Sequence, residues 1–370
     1  MYNIGIVFGG FCPLHQGHLD LIMRAKKEND YAIVVVCGYN NDPRAEEAQL
    51  PLIKRFRIIH NYLADEIVKV IMINDTELCI DESMSDSNWL IWTKAVYEKI
   101  NEIFKGTVCH HNYRWYVSED SYVISLAKNS YGNKLLHLGD QESIIKLDRN
   151  KNPVSGTLCR EKPLQYWNKI TAPFRAYFSH NILIAGTASE GKTTLVKDIG
   201  KYFNLPYSYE KGRDICALKT DPEFTIKDFI YNIYEQRKLN EQLISSPQNP
   251  GVFISDTDNI VTLMYAKAYS NRNNFNLSAD DYETLERLAD AYDKTTKWDK
   301  IFLLKPKEKA IVDDGERYMP DSNYNIRVEF FNHLKQLYDE RGYEYEILDG
   351  NYYENFCAVK NYINDLYRGN

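Results

Sequence analysis

The strongest constraint on the fold is the regular alternation of short apolar runs with turns and longer amphipathic segments. The runs are rich in Ile, Val and Tyr and have the length of buried strands, whereas the longer segments have helical spacing. Parallel strands need a crossover, usually a helix, so the alternation predicts α/β units with parallel sheets. The predicted strands are 2–8, 31–37, 67–73, 106–109, 134–138, 180–185, 251–255, 301–304 and 343–348, and the predicted helices are 18–28, 53–63, 87–104, 193–203, 224–244, 279–296, 323–341 and 353–367.

The alternation is interrupted near the middle of the chain. Pro153, Pro163 and Pro173 frame short helical pieces, after which a new apolar strand begins. At roughly 100–200 residues per domain, a chain of 370 residues is long enough for two domains. We therefore predict two α/β domains, which comprise residues 1–178 and 179–370.

Composition and charge exclude several classes of protein. The chain has 45 Lys and Arg against 52 Asp and Glu, so its net charge of −7 provides no attraction to nucleic acid or an anionic membrane. No run approaches the ~20 apolar residues of a membrane helix, and the N-terminus lacks the pattern of a signal peptide. The 7 cysteines include no C-x-x-C pair, which favours reduced thiols in a cytoplasmic protein over structural zinc or disulfides.

The second half contains a phosphate-binding loop. Residues 186–193 read G-T-A-S-E-G-K-T, which fits G-x-x-x-x-G-K-[ST], between a predicted strand and a predicted helix. Main-chain N–H groups of such a loop surround phosphate, a catalytic Lys192 can reach the β- and γ-phosphates, and the Thr193 hydroxyl can bind Mg²⁺. The alternative is a glycine-rich turn without a ligand. The predicted ATP-binding residues are Gly186, Thr187, Ala188, Ser189, Glu190, Gly191, Lys192, Thr193 and Thr194.

A carboxylate for the magnesium ion is expected at the end of a neighbouring strand. Asp256 follows the predicted strand 251–255, and ligands gather at the carboxyl edge of an open α/β sheet. We predict that Asp256 is the metal-associated residue. Asp258 fits a substrate ligand or a base, and both carboxylates also fit turn or helix-capping residues.

The first half carries a different motif at the end of its first strand. The sequence from Gly9 to His18 is G-G-F-C-P-L-H-Q-G-H, which ends in H-x-G-H. Neutral imidazoles there can donate to phosphate oxygens on which charge develops, and the glycines let a nucleotide approach the backbone. Packing or helix capping is the alternative for each histidine alone, and no third ligand nearby supports a metal site. The predicted ATP-binding residues are Gly9, Gly10, Phe11, His15 and His18.

A second motif, S-x-T-x-x-R, lies near the end of the same half. It comprises Ser155, Thr157 and Arg160, with the hydroxyls where a helix can begin and the guanidinium one turn later. A guanidinium beside free N–H groups can bind a triphosphate, although S-x-T is also a common helix cap. We predict that these three residues bind ATP and that Arg160 is catalytic together with His15 and His18.

The two motifs together resemble those of the nucleotidylyltransferase superfamily, and the phosphate-binding loop that follows narrows the resemblance to the NadR family of bifunctional enzymes. The resemblance extends over nearly all 370 residues. It implies a Rossmann-like nucleotidylyltransferase domain followed by a P-loop kinase domain. It also implies that the kinase phosphorylates nicotinamide riboside to the mononucleotide NMN with Mg²⁺-ATP, and that the first domain adenylylates NMN with ATP to give NAD and pyrophosphate.

This resemblance assigns roles to further residues. Asn88, Trp89 and Trp92 resemble an N-W-x-x-W stretch near the NMN site, where indoles can stack on nicotinamide, although two tryptophans on one helix face also suit a core. Glu210 and Arg213 resemble riboside-binding residues of the family. Asp258 is the third candidate for riboside binding, provided that it is a substrate ligand.

The segment 312–317 resembles the family's lid, in which Arg317 contacts phosphates; a solvated loop is the alternative. Lys211 departs from the family pattern, and no proline follows Ser118 and Glu119. The first strand begins so near Met1 that we expect no preceding helix-turn-helix.

Two other functions fit the same motifs. A fusion of phosphopantetheine adenylyltransferase with dephospho-coenzyme A kinase combines the same two folds, but that family usually has Thr where His15 stands and lacks the paired tryptophans. A protein that senses NAD or ATP without turnover is the second alternative. The sequence does not decide the oligomeric state, so a homo-oligomer stays open.

Overall fold

The central strand of each half is buried on both faces, and the rest of each sheet is built around it. A computed structural model of the protein describes residues 2–81, 85–105, 111–129, 141–148, 153–216, 225–270, 277–308 and 323–369. The chain divides into two units, Met1–Phe178 and Ser179–Asn370.

The first unit contains a parallel sheet with helices on both faces. Its described strands are β1 (Tyr2–Gly9), β2 (Tyr31–Gly38), β3 (Val68–Asn74), β4 (His111–Val117) and β5 (Gln141–Lys146). Its described helices are α1 (Gln16–Glu28), α2 (Pro43–Glu47), α3 (Leu52–Leu63), α4 (Asp86–Ile103), α5 (Asp120–Asn129), α6 (Gly156–Glu161) and α7 (Ala172–Arg175).

The strand order positions the candidate site of this unit. The strands lie in the order β3-β2-β1-β4-β5, and each neighbouring pair is parallel. The chain first places β2 and β3 on one side of β1 and then crosses over to place β4 and β5 on the other side. In open α/β sheets a ligand crevice forms at the carboxyl ends of the strands where the order reverses. The turn that follows β1 therefore lies at that crevice.

Two apolar cores cover the faces of this sheet. On β2, Val34 and Val36 pack into the core beneath α1 and α3, whereas Ile33 and Val35 pack into the core beneath α4. All four residues are fully buried. Successive strand residues point to opposite faces, so a strand covered on both sides reads as a continuous apolar run. This explains why β1 and β2 are visible in the sequence.

The second unit repeats this plan with a different strand order. Its described strands are β6 (His180–Gly186), β7 (Tyr207–Ser208), β8 (Val252–Ser255), β9 (Lys300–Leu304) and β10 (Glu346–Leu348). The strands are parallel, and their order is β10-β9-β6-β8-β7. The described helices are α8 (Lys192–Phe203), α9 (Gly212–Cys216), α10 (Ile226–Ile244), α11 (Asn259–Ser270), α12 (Ala279–Asp293), α13 (Tyr324–Glu340) and α14 (Tyr352–Arg368).

The prediction of two α/β units with parallel sheets is confirmed, but several elements differ. The predicted loop 38–49 contains α2, and β4, α5 and β5 were not predicted. The strands predicted at 106–109 and 134–138 lie outside the described residues. In β4 the buried Tyr113 and Trp115 alternate with polar residues, so the strand lacks the apolar run that reveals β1.

In the second unit β7, α9 and α11 were also not predicted. Helix α11 is buried over most of its length, so its polar face is very small: Ile260, Leu263, Met264 and Ala266 are fully buried. A helix without an amphipathic pattern gives no helical periodicity in the sequence. Within the described ranges, no helix combines the length and apolarity needed to cross a membrane.

Packing of α8 against β7 provides a test of this arrangement. A Cβ atom on Gly200 would lie 2.5 Å from Cδ1 of Tyr207, closer than real contacts allow. Alanine normally favours a helix over glycine, but here overpacking opposes that gain. We expect Gly200→Ala to lower the free energy of unfolding by ~1–2 kcal/mol. Thermal denaturation measures this, with Lys201→Ala, at an exposed position of the same helix, as the control. An unchanged or raised melting temperature for Gly200→Ala would contradict this packing.

Candidate functional site

A cavity of about 740 Å³ lies at the carboxyl end of β1. It brings together two motifs that lie far apart in the sequence, the turn after β1 and the S-x-T-x-x-R segment. Among the predicted site residues, its lining includes Gly10, Phe11, His15, His18, Ser155, Thr157 and Arg160. A cavity of this size is in the usual range for small-molecule sites.

The two histidines of H-x-G-H form a stacked pair. The ring centroids of His15 and His18 are 3.7 Å apart with an interplanar angle of 21°, and His18 also packs edge-on against Phe11. His15 precedes α1, and its main-chain N–H donates to Nδ1 of His18 at 3.4 Å. The pair therefore has a fixed orientation at the start of a helix that borders the cavity.

Gly17 allows this pair to form. A Cβ atom at Gly17 would lie 3.2 Å from Cε1 and Nδ1 of His15 and 3.2 Å from Cγ1 of Val154. The backbone of Gly17 is not left-handed, so lack of space rather than backbone freedom requires glycine at this position.

Arg160 connects the two motifs. Its Nη1 donates to the carbonyl oxygen of Cys12 at 2.6 Å, and its Nη2 donates to Oγ1 of Thr157 at 3.2 Å. Ser155 caps α6 by accepting from the N–H of Leu158 at 3.2 Å. The capping alternative is thus realised for Ser155, while Thr157 and Arg160 line the cavity. Gly9 lies at the end of β1, where an added Cβ would crowd the ring of Phe11 at 3.3 Å.

Arg55 is a cavity residue that was not predicted. It is fully buried, and it donates to the carbonyl oxygens of Gly10 and, at 2.9 Å, of Leu50. Burial lowers the pKa of Arg55. A signal was present: on the predicted helix 53–63, residue 55 lies on the same face as the buried Ile59, so an arginine interrupts an apolar stripe.

The tryptophans of α4 lie in the core. Trp89 and Trp92 are 5% and 2% exposed, and both rings pack against Phe8. Trp89 also contacts Tyr122, whose ring centroid is 6.0 Å away and which lines the cavity. Asn88 donates from Nδ2 to Asp81 at 2.9 Å. Both indoles thus have the burial that the core alternative expects, and Trp89 also contacts the cavity-lining Tyr122. Their role in NMN binding stays a prediction.

The second candidate site is the loop between β6 and α8. Gly186 has a φ of 149°, and a Cβ there would lie 2.9 Å from the carbonyl oxygen of Leu304, so this position requires glycine. Nζ of Lys192 donates to the carbonyl oxygen of Thr187 at 2.7 Å. Ser189 and Gly191 both have left-handed backbones, with φ of 62° and 88°. Of the other predicted residues, Ala188 is half-buried, Glu190 is buried and Thr194 is exposed.

Four predicted residues meet at the start of α8. Oγ1 of Thr193 donates to Oδ2 of Asp256 at 2.7 Å and accepts from Nη2 of Arg213 at 2.8 Å. Nε of Arg213 is 3.9 Å from Oε2 of Glu210. Burial raises the pKa of Asp256 to about 6, and the nearby Glu210 carboxylate adds to this effect. The strand end at β8 and the loop after β6 thus bring a hydroxyl and a carboxylate together.

Both carboxylate oxygens of Asp258 accept hydrogen bonds from other residues of the second unit. Its Oδ1 accepts from the N–H of Val261 at 2.9 Å, and its Oδ2 accepts from the hydroxyl of Tyr338 at 2.9 Å. Burial raises the pKa of Asp258 to about 6. These contacts fit the capping alternative, since they anchor the start of α11, and the role of Asp258 as a substrate ligand stays a prediction. Arg317 lies outside the described residues.

Two family models match the chain, one in each unit. The cytidylyltransferase-like model matches residues 6–162, and the AAA domain model matches residues 181–355. The crystal structure of a NadR protein in complex with NAD and AMP-PNP has a TM-score of 0.83 and 30% sequence identity, and the match covers 100% of this chain and 97% of that chain. The chain belongs to the NadR family.

Two other NadR comparisons also span both units. A NadR crystal structure in complex with NR has a TM-score of 0.83 and 30% identity, with 99% of this chain and 96% of that chain covered. The trifunctional NAD biosynthesis/regulator protein NadR of Salmonella typhimurium is 26% identical over 358 residues, which are 93% of this chain and 78% of the relative. The family resemblance indicated by the sequence motifs is therefore confirmed.

Asp75, directly after β3, is a buried carboxylate that the motifs did not reveal. It is 6% exposed, and its Oδ1 accepts no hydrogen bond from the described residues. Burial raises the pKa of Asp75 to about 6, while a hydrogen bond from Trp92 and the charge of Arg55 act in the opposite direction. Asp75 therefore interacts both with the tryptophan cluster and with the arginine of the cavity.

The raised pKa predicts how Asp75 affects stability. The folded protein binds this proton more tightly than the unfolded chain, so ionisation of Asp75 weakens folding as pH rises from about 4 to about 6. We expect Asp75→Asn to melt at a higher temperature than wild type at pH 8, with the difference shrinking below pH 6. Thermal denaturation from pH 4 to 8 measures this.

Asp65 is the matched control for Asp75. A hydrogen bond from Lys26 lowers the pKa of Asp65 to about 2, so ionisation of this exposed carboxyl favours folding at pH 8. Asp65→Asn is therefore expected to change the melting temperature in the opposite direction. A difference between wild type and Asp75→Asn that is constant with pH would exclude a raised pKa.

Proposed function

We propose that this NadR-family protein is a bifunctional enzyme of NAD biosynthesis. Its C-terminal unit would phosphorylate nicotinamide riboside to NMN with ATP, and its N-terminal unit would adenylylate NMN with ATP to NAD and pyrophosphate. The observation that carries the proposal is that each unit has its own candidate phosphate site, the cavity beside His15 and His18 and the loop that ends at Lys192. The NadR structures with NAD, AMP-PNP and NR support these ligand classes.

In the kinase unit the proposed work of the protein is positioning and charge stabilisation. Main-chain N–H groups of the loop 186–191 and Nζ of Lys192 would hold the phosphates of ATP. Lys192 would exchange its present acceptor, the carbonyl oxygen of Thr187, for phosphate oxygen. Arg213, whose Nη2 is 2.8 Å from Thr193, would stabilise charge on the transferring phosphoryl group, with Glu210 nearby on the riboside side.

The residues around Thr193 fit a magnesium ion. Asp256 is fully buried, and its Oδ1 accepts no hydrogen bond from the described residues. A buried carboxylate oxygen beside a hydroxyl is a donor set that suits Mg²⁺, which prefers oxygen ligands. Thr193 and Asp256 would hold the ion, which when bound neutralises phosphate charge. No group of three or more His, Cys, Asp or Glu suited to a metal occurs in the part of the chain that the structure describes.

In the adenylyltransferase unit the phosphate of NMN would attack the α-phosphorus of ATP directly. The bond to the β-phosphate oxygen breaks, pyrophosphate leaves, and no protein nucleophile is required. His15, His18 and Arg160 would donate to the oxygens on which charge develops, and Thr157 would bind the triphosphate. Trp89 and Tyr122 would border the nicotinamide. A cytoplasmic location is part of the proposal, since both reactions consume ATP.

One incubation tests the proposal as a whole. Purified protein is mixed with nicotinamide riboside, ATP and Mg²⁺, and NMN, NAD and pyrophosphate are followed over time. Successive appearance of NMN and NAD, with pyrophosphate equal to NAD, is expected. Binding of NAD or ATP without turnover would instead favour a sensing protein. In a parallel incubation, adenylylation of phosphopantetheine by ATP together with phosphorylation of dephospho-coenzyme A by ATP would favour the other fusion.

Lys192→Ala separates the two activities. We expect riboside phosphorylation to fall by at least ~10²-fold, because a buried cation that contacts transferring phosphates is removed. NAD synthesis from supplied NMN is expected to remain, since Lys192 belongs to the second unit. Lys201→Ala, exposed on the same helix, is the control for lysine removal. Loss of both activities in a folded Lys192→Ala protein would contradict the two-site proposal.

His18→Ala tests the other unit. We expect adenylyl transfer to fall by ~10²–10³-fold in kcat with a smaller change in KM, because charge on the phosphates is greatest in the transition state. Riboside phosphorylation should be unchanged. His60→Ala, at an exposed position of α3, is the matched control. A lower melting temperature with normal kcat would show that His18 only packs against its neighbours.

A further inference from the structure

A buried ion pair connects the phosphate-binding loop to α13. The carboxylate of Glu190 pairs with Nη1 of Arg327, and each side chain is 1% exposed. Nη2 of the same guanidinium donates to the carbonyl oxygen of Lys307 at 3.0 Å. The pair thus connects the C-terminal end of the loop after β6 to α13, and through Lys307 to the segment that follows β9.

The position of Glu190 creates an electrostatic problem for ATP binding. It is the only acidic residue in the loop 186–193, and it lies two residues before Lys192. A carboxylate in the same loop opposes the binding of phosphate, and the repulsion is strong because the Glu190 side chain is buried away from water. A loop that binds a triphosphate through N–H groups and one lysine therefore needs a further cation to neutralise its own carboxylate.

Arg327 meets this need and also fixes the loop. Its guanidinium neutralises Glu190, and its bond to Lys307 holds it in one orientation. At the other end of the loop, Gly186 packs against the carbonyl oxygen of Leu304. Both ends of the loop are therefore tied to β9 or to the residues that follow it.

We propose that Arg327 is a positioning residue of the kinase site, which neutralises Glu190 so that the loop can accept the phosphates of ATP. The inference rests on the proposed function in one respect, namely that ATP is the ligand of this loop. Arg327 itself contacts Glu190 and Lys307 and acts on ATP through the loop.

A double-mutant cycle tests this role. Arg327→Gln removes the guanidinium that pairs with Glu190, so ATP affinity at this loop should fall by ~10- to 100-fold. Glu190→Gln keeps the main-chain N–H of this loop position and removes only the negative charge, so it should bind ATP more tightly than wild type. In the double variant Glu190→Gln/Arg327→Gln the repulsion is absent, and affinity should return to within about threefold of wild type.

The measurement must isolate the loop from the other nucleotide site. Binding of a fluorescent ATP analogue is recorded for each variant, and the portion that Lys192→Ala abolishes is assigned to the loop. This readout needs no riboside, so a failure of riboside phosphorylation in wild type does not affect it. Arg237→Gln removes an ion pair with Glu241 on α10 and is the control, with unchanged ATP affinity expected.

Three outcomes would overturn the inference. A folded double variant as weak as Arg327→Gln would mean that Arg327 contacts the nucleotide itself. A lowered melting temperature with unchanged ATP affinity in Arg327→Gln would reduce the pair to a structural role. If Arg327→Gln does not fold, Arg327→Lys keeps the charge and should bind within about threefold of wild type; a loss above tenfold would contradict charge neutralisation.

Discussion

Both units depend on a central parallel strand that is buried on both faces of its sheet. β1 and β6 each have a neighbour on both sides, so neither strand can shift without breaking two ladders of hydrogen bonds. Each ends in a turn at the carboxyl edge of its sheet, where strand order reverses and a ligand can enter. The predicted phosphate-binding residues follow both strands, because main-chain N–H groups are free to bind a ligand at that edge of the sheet.

Much of this architecture could be predicted because burial on both faces leaves a continuous apolar run. β2 and β8 were visible for that reason. The elements that were missed lack the pattern that marks the others. In β4 the polar residues Asn112 and Arg114 alternate with the aromatic ones, so this strand has the period of two without a continuous apolar run. Helix α11 is apolar over most of its length, so its helical period is weak.

The site residues that belong to one contiguous motif could be predicted from the sequence. Those that only the fold brings to the site could not. H-x-G-H and the loop that ends at Lys192 were found directly, and the structure brings Arg160 to the first of them. Asp75 became visible only with the fold, because a buried charge resembles any other charge in a sequence. The sequence did carry a signal for Arg55, which interrupts the apolar stripe of the predicted helix 53–63. Asp258 is a residue that the sequence did reveal but whose role it left open. A carboxylate directly after a strand is as compatible with a helix cap as with a ligand.

The crowding around Gly17 has an evolutionary consequence. The volume that its missing side chain leaves is shared between the ring of His15 and a methyl group of Val154, which comes from a distant part of the chain. Positions 17 and 154 therefore constrain one another. A smaller residue at the position of Val154 would relieve only one of these contacts, because the ring of His15 would still lie 3.2 Å from an added Cβ. The glycine of the motif therefore records the size of both neighbours, and alanine at this position becomes compatible only where both leave more room.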